Sequence, residues 1–192
     1  MSRVNITLSN VKKYFYLELL TSSSKISAFS CSIAEYNDYL VNDANRSMSD
    51  YIALTWLLVE QKTGKIAAYM SLIMDAIKLS FAEKELHQLN YPFRTIPAMK
   101  IAKLAVDQTF SEKFKGIGTF MINTAESFAE TCNSTYCACR FLTVDADIEH
   151  DEGVIAFYEK NGFISNAELY NKNRKTISMR KDIYQQPIAT KK

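Results

Sequence analysis

The stretch Lys113-Phe114-Lys115-Gly116-Ile117-Gly118-Thr119 sets two cations beside two glycines one residue apart, and the apolar periodicity of a helix begins behind it. Glycines let backbone N–H groups approach a ligand closely, and a helix start adds unpaired donors and a positive dipole end. The natural guest of such a constellation is a phosphate or diphosphate. The segment lacks the Lys-Ser/Thr that follows the second glycine of a nucleotide P-loop, and it lacks the third glycine of a dinucleotide fingerprint. Taken alone, it also reads as a tight turn that opens a helix. A second segment, Val154-Ile155-Ala156-Phe157-Tyr158-Glu159-Lys160-Asn161-Gly162-Phe163, reads by itself as an amphipathic helix stopped by Gly162 at its C-cap.

Other reactive side chains are sparse. The four cysteines are Cys31, Cys132, Cys137 and Cys139, and the spacing of the last three fits neither a zinc ligand set nor a disulfide framework. With only His87 and His150 besides, far apart in the chain, no metal site is expected. The cysteines read as reduced, partly buried thiols in a reducing compartment.

The elements that must position these residues follow from periodicity. Ile6–Leu8 reads as a short strand and Val11–Leu20 as a helix. Ser32–Ala44 reads as a second helix capped by Ser30 or Ser32. Tyr51–Glu60 and Lys65–Met74, joined by Gln61–Gly64, predict an antiparallel hairpin. Phe81–Leu89 predicts a short helix ended before Pro92. Ala98–Val106 reads as a strand with an irregularity where Lys100 and Lys103 break the alternation. A loop then leads from Asp107 to Gly116-Ile117-Gly118 and a helix with Phe120, Met121, Ile122, Ala125, Phe128 and Ala129 on one face. Arg140–Val144, Phe163–Ile164 and Thr176–Met179 are strands, and Val154–Lys160 is a helix. The order predicts an α/β (α+β) fold: one mixed, mostly antiparallel sheet flanked by helices. No repeat or linker divides the 192 residues, so 1–192 is expected to be a single domain, with 183–192 a flexible tail.

Five glycines, three prolines and 23% charged residues exclude collagen-like and low-complexity classes. A net charge of +2 does not announce a nucleic-acid binder, although Lys172, Arg174, Lys175, Arg180 and Lys181 cluster late in the chain. No apolar run nears the roughly 20 residues of a membrane span. The alternating N-terminus is not that of a signal peptide. No membrane association and a cytoplasmic location are therefore expected.

Taken in their order and spacing, the two chemistry-bearing segments resemble the GNAT superfamily of acyl-CoA-dependent N-acyltransferases. The family pattern is a strand ending in an apolar triplet, then Arg/Gln-x-x-Gly-x-Gly/Ala opening a helix, and later Asn-x6-Tyr-x-Lys-x-Gly-Phe. Here the triplet is Leu104-Ala105-Val106, the loop is Lys113 to Gly118 and the late helix is Asp151 to Phe163. Lys113 stands in place of Arg or Gln, and Asp151 in place of Asn. The resemblance covers residues 98–182 strongly and the N-terminal half loosely. Phe29-Ser30-Cys31-Ser32-Ile33-Ala34-Glu35-Tyr36-Asn37-Asp38-Tyr39-Leu40 further resembles the opening of acetyltransferase toxins from toxin–antitoxin modules, with Ser32 where that subgroup has Gly and Tyr36 where it has Leu.

The resemblance implies a co-substrate, acetyl-CoA, and no metal. It implies that Leu104, Ala105 and Val106 hydrogen-bond the pantetheine and polarise the thioester. Lys113, Phe114, Lys115, Gly116, Ile117, Gly118 and Thr119 would hold the diphosphate, and Asp151 occupies the position of a pantetheine contact. Tyr158 matches the general acid: a phenol of pKa near ~10 is protonated at neutral pH and can supply a thiolate of pKa ~8.5. The strand offers Lys100 and Lys103 where many relatives carry a glutamate base, and Glu149, His150 and Glu152 lie nearby in sequence. The missing carboxylate favours an acceptor amine that is already largely neutral, such as the α-amino group of an aminoacyl-tRNA. The toxin subgroup implies an antitoxin partner, and the superfamily's frequent dimers leave a homodimer open. A GNAT enzyme acting on a small amine or a protein N-terminus remains an alternative, as does a non-catalytic acyl-CoA-binding module.

Overall fold

The computed structural model describes residues 3–166 and 175–184. The basic residues Lys172 and Arg174 and the tail from position 185 onward lie outside the described residues. The strands of the main sheet are hydrogen-bonded in the order β2 (Phe15–Leu19), β3 (Leu54–Glu60), β4 (Ile66–Lys78), β5 (Thr95–Val106), β7 (Phe141–Asp147), β9 (Thr176–Asp182) and β8 (Ile164–Ser165), and a separate two-stranded sheet joins β1 (Val4–Asn5) to β6 (Phe114–Lys115). This is the expected mixed, mostly antiparallel architecture with flanking helices. Two compact units carry it: Met1–Ile73 with Ile101–Ala125, and Met74–Lys100 with Glu126–Lys192.

In the first unit the hairpin forms as the alternation predicts. β3 (Leu54–Glu60) pairs antiparallel with β4 (Ile66–Lys78), with a register shift between Leu58 and Val59. Thr55 and Ser71, both fully buried, satisfy each other across the pair at 2.7 Å. The predicted Val11–Leu20 helix does not form. One 3₁₀ turn, Val11–Lys13, is followed by β2 (Phe15–Leu19), antiparallel to β3 with Phe15 opposite Glu60. Pairing overrides the apparent helical spacing here because the run holds Phe15, Tyr16 and Leu17, which suit a half-buried strand. Phe15 then packs edge-on against Phe110 and Phe114, with ring centroids at 5.9 and 5.0 Å.

The predicted Ile6–Leu8 strand is displaced to β1 (Val4–Asn5), because Asn10 folds the next residues into a turn. Its side chain accepts from Thr7 N–H at 2.9 Å and donates to the Asn5 carbonyl at 2.8 Å. The Ser32–Ala44 helix starts instead at Ala34. It comprises α1 (Ala34–Asp38), a wider π turn over Tyr39–Asp43 and α2 (Ala44–Ser49). Neither Ser30 nor Ser32 caps it: Ile33 stands at the N-cap with no side-chain bond. Leu40, Ala44, Leu57, Tyr69 and Ala105 build this unit's core with Phe29 and Ile66.

β5 (Thr95–Val106) runs longer than expected, and the loop after it is a helix, α4 (Gln108–Lys113). The signal was Asp107, whose carboxylate accepts from Thr109 N–H at 2.9 Å and caps the helix. β6 (Phe114–Lys115) and α5 (Ile117–Thr135) follow.

The second unit contains α3 (Phe81–Leu86), β7 (Phe141–Asp147), α6 (Val154–Lys160), β8 (Ile164–Ser165) and β9 (Thr176–Asp182). Ser80 and Glu83 form a reciprocal capping box that starts α3. β7 pairs antiparallel with β9 along its full length, and β8 pairs with β9. Arg180, 1% exposed, donates to Glu83 Oε1 and Asn166 Oδ1, both at 2.6 Å, and to His87 Nε2 at 3.1 Å. Asp182 accepts both a forked pair of bonds from Arg140 at 2.8 Å and the Nδ1–H of His87 at 2.9 Å.

This arrangement requires a neutral His87, since Nε2 accepts a hydrogen bond from a guanidinium. Burial pushes the His87 pKa down; the Asp182 hydrogen bond opposes this, and the charges of Arg180 and Arg140 add to it. The unfolded chain therefore binds a proton at this ring more readily than the folded one. Stability should fall as pH drops below the ordinary histidine value of ~6.5, with a slope of at most about 1.4 kcal/mol per pH unit, the limit for one proton. His87→Gln keeps an acceptor for Arg180 but cannot titrate. Urea midpoints measured from pH 7 to pH 5 should decline less steeply in the variant; equal slopes would remove His87 from this role.

Candidate functional site

In the first unit, the end of β5 and the start of α5 belong to the same compact body. Leu104 and Val106 are half-buried and Ala105 is buried. The strand ends when Asp107 N–H donates to the Ala67 carbonyl of β4 at 2.9 Å. α4 returns the chain to β6, which leads directly into α5.

The first helical bond of α5 runs from Phe120 N–H to the Gly116 carbonyl at 2.8 Å. The N–H groups of Ile117, Gly118 and Thr119 therefore precede the internal ladder and have no carbonyl within their own helix to use. Gly116 makes this opening possible. Its φ is +84°, and a Cβ there would stand 2.8 Å from the Ile6 carbonyl oxygen. That carbonyl is held in place because β1 and β6 pair in parallel and Ile6 N–H donates to Lys115 O at 2.8 Å. Lys113 and Lys115 are exposed beside the turn, and the Lys113 ammonium lies 5.8 Å from the centre of the Phe110 ring. Amide donors, the dipole of a 19-residue helix and two cations together can receive a diphosphate.

The segment Phe29–Leu40 is tied to this strand end within the same unit. Ser30 N–H donates to Asp107 Oδ2 at 2.9 Å, and Gln108 N–H donates to the Ser30 carbonyl at 2.9 Å. Asn37 holds Cys31 by both backbone groups, at 2.8 and 3.0 Å. The Tyr69 hydroxyl donates to the Tyr36 carbonyl at 2.8 Å, and burial pushes its pKa up. Lys103 sits over the rings of Tyr36 and Tyr39, at 4.6 and 5.8 Å from their centres. Composition and spacing did not single out Asp107 as a brace or Lys103 as a cation over aromatics. An acidic residue directly after a strand and two before a threonine was the legible sign of the first; the second depends on a tertiary contact.

The second unit holds Tyr158 and Asp151. Tyr158 lies on α6, 8% exposed, with its ring edge-on to Phe157 and Phe163 at 5.2 and 5.3 Å. Its carbonyl accepts from Asn161 and Phe163 N–H as the helix stops, and Gly162 adopts φ +87°. Asp151 Oδ1 accepts from Gly153 N–H at 2.8 Å, so this carboxylate shapes the turn into α6. Two of the acid–base residues nearby are engaged as well: His150 Nδ1 contacts Asp147 at 2.9 Å, and Glu149 pairs with Lys175 at 2.8 Å. Lys100 pairs with Asp145. Among the described residues no group of three His, Cys, Asp or Glu side chains is arranged to hold a metal, and no helix is long and apolar enough to cross a membrane.

No family model matches the chain, and no curated protein matches it by sequence. Solved structures do match. AtaT complexed with acetyl-methionyl-tRNAfMet shares 18% identity, covering 85% of this chain and 93% of that chain with a TM-score of 0.71. A tyrosine-to-phenylalanine mutant of KacT shares 18% identity over 87% and 95% of the two chains, with a TM-score of 0.69. A tyrosine-to-phenylalanine mutant of the AtaT toxin, bound to the C-terminus of the antitoxin AtaR and to acetyl-CoA, shares 18% over 86% and 92%, with a TM-score of 0.64. At these identities the likeness is one of fold: this chain has the GNAT-like fold of AtaT and KacT.

Proposed function

We propose that the protein is an acetyl-CoA-dependent N-acetyltransferase that modifies the α-amino group of an aminoacyl-tRNA. The observation that carries this reading is the amide mouth of α5, shaped by Gly116 and flanked by Lys113 and Lys115, in a chain whose fold is that of a toxin seen with acetyl-methionyl-tRNA. The acetyl-CoA-bound AtaT mutant supports the co-substrate, and the AtaR complex supports an antitoxin partner.

In this reading the N–H groups of Ile117, Gly118 and Thr119 bind the diphosphate, with Lys113 and Lys115 adding charge and Phe114 anchoring the loop. The backbone at Leu104, Ala105 and Val106 aligns the pantetheine and offers an N–H to the thioester oxygen. The acceptor's neutral amine attacks the acetyl carbon, and the phenol of Tyr158 gives its proton to the departing thiolate. That two solved neighbours carry a tyrosine-to-phenylalanine change is consistent with a tyrosine of this importance. Asp151 acts by ordering the turn that starts α6. The α-amino group of an aminoacyl ester needs no strong base, which suits a strand that carries Lys100 and Lys103 in place of a glutamate.

Acetylation of charged tRNA by Tyr158→Phe should fall by about 10²–10⁴-fold in kcat, the usual worth of a general acid, while the affinity for coenzyme A measured by calorimetry stays within a few-fold. Undiminished turnover would remove Tyr158 from the chemistry.

Gly116→Ala sets a methyl against the Ile6 carbonyl at a φ that L residues adopt at a cost of roughly 1–2 kcal/mol. It should weaken coenzyme A binding by about tenfold, the equivalent of 1.4 kcal/mol, and leave binding of pantetheine, which has no diphosphate, unchanged. A variant that binds coenzyme A as the parent does would show that the loop takes no part in recognition.

A further inference from the structure

α5 ends in a turn that sets two cysteines against each other. The Cys132 carbonyl accepts from Tyr136 N–H at 2.8 Å and also from Cys137 N–H at 3.0 Å. A peptide hydrogen bond between two residues five apart keeps their Cα atoms within the roughly 4.4–6.8 Å that a disulfide spans. The side chains are neighbours as well: burial first, and then the nearby Cys137 thiol, push the Cys132 thiol above its ordinary pKa. Both are free; Cys132 is half-buried and Cys137 is exposed to solvent.

Cys139 is close by but differently placed. It is 2% exposed, its S–H donates to the Phe141 carbonyl at 3.5 Å, and Asn133 clips its backbone N–H and C=O at 2.7 Å each. Burial pushes its thiol up to about 11, so it stays protonated and unreactive. The three cysteines are thus one neighbouring pair and one sequestered spectator.

We infer that Cys132 and Cys137 form a reversible redox modification site, which closes to an intramolecular disulfide when the protein meets a peroxide. In the first step the sulfur of Cys137 attacks a peroxide oxygen. The O–O bond breaks, a sulfenic acid forms on Cys137, and hydrogen peroxide releases one water. In the second step the sulfur of Cys132 attacks that of Cys137, the S–O bond breaks, and a second water leaves with the two remaining protons. The pair of sulfurs loses two electrons in total and the peroxide gains them; a dithiol reductant reverses the change. The bridge would pin residues 136–139 to the last turn of α5, immediately before Arg140, whose guanidinium holds Asp182.

The test treats the full folded chain with hydrogen peroxide, then unfolds it in guanidinium chloride, blocks the remaining thiols with iodoacetamide and digests with trypsin. The peptide Gly116–Arg140 contains all three cysteines. It should be found two hydrogens lighter, alkylated only at Cys139, and silent in backbone fragmentation between positions 132 and 137. Dithiothreitol before alkylation should restore three labelled cysteines. Cys132→Ser and Cys137→Ser should each abolish the loss, and Cys139→Ala should leave it. Full alkylation after peroxide, a bridge that includes Cys139, a cross-linked dimer or sulfinic acid without a bridge would each overturn the proposal.

Discussion

A helix cannot satisfy its own first N–H groups, and at α5 this constraint organises the surrounding structure. The donors of Ile117, Gly118 and Thr119 lie ahead of the first helical bond, and the turn before them is possible only with glycine at position 116. The Ile6 carbonyl occupies the place a side chain would need. β1 and β6 are too short to be a sheet of consequence, yet together they fix that carbonyl and so fix the turn. The Asn10 side chain, bonded to Thr7 and Asn5, keeps β1 from running on and losing its register.

A second constraint lies at the end of β5. Asp107 uses one carboxylate oxygen to cap α4 and the other to hold Ser30, so one side chain aligns both the return path to the α5 mouth and the segment leading into α1. The second unit relies on charge in a similar way. Burying Arg180 is tolerable only because Glu83, Asn166 and His87 all accept from it. Those partners come from the α3 region and from the end of β8, so the arginine ties elements distant in sequence to β9.

Much of this is legible in the sequence itself. The Gly116-Ile117-Gly118 turn, the extent of α6 and the β3–β4 hairpin follow from glycine placement and local periodicity, and the fold class follows from their order. Two of the departures share a physical origin: a partner far along the chain outweighing a local preference. Residues Phe15–Leu19 show apolar spacing compatible with a helix and became a strand because β3 offered an edge. Ser30 has the chemistry of a helix cap, but its backbone is tied to Asp107 and Gln108, 77 and 78 positions away, and the helix starts four residues on, at Ala34. The α4 helix was missed although its cap stood in view, since a six-residue helix has little periodicity to detect. For the site, the donors at the helix mouth were readable from glycine spacing, whereas the Lys103 contact with Tyr36 and Tyr39 exists only once α1 is folded onto its unit.

The account rests on the amide mouth of α5 as the seat of the coenzyme's diphosphate. Backbone amide resonances followed during titration with coenzyme A test this most directly, with pantetheine as the comparison. The account predicts large, saturable shifts at Ile117, Gly118 and Thr119 with coenzyme A and little movement there with pantetheine. Saturation by coenzyme A with those three resonances unmoved, or no saturable change at all, would contradict it.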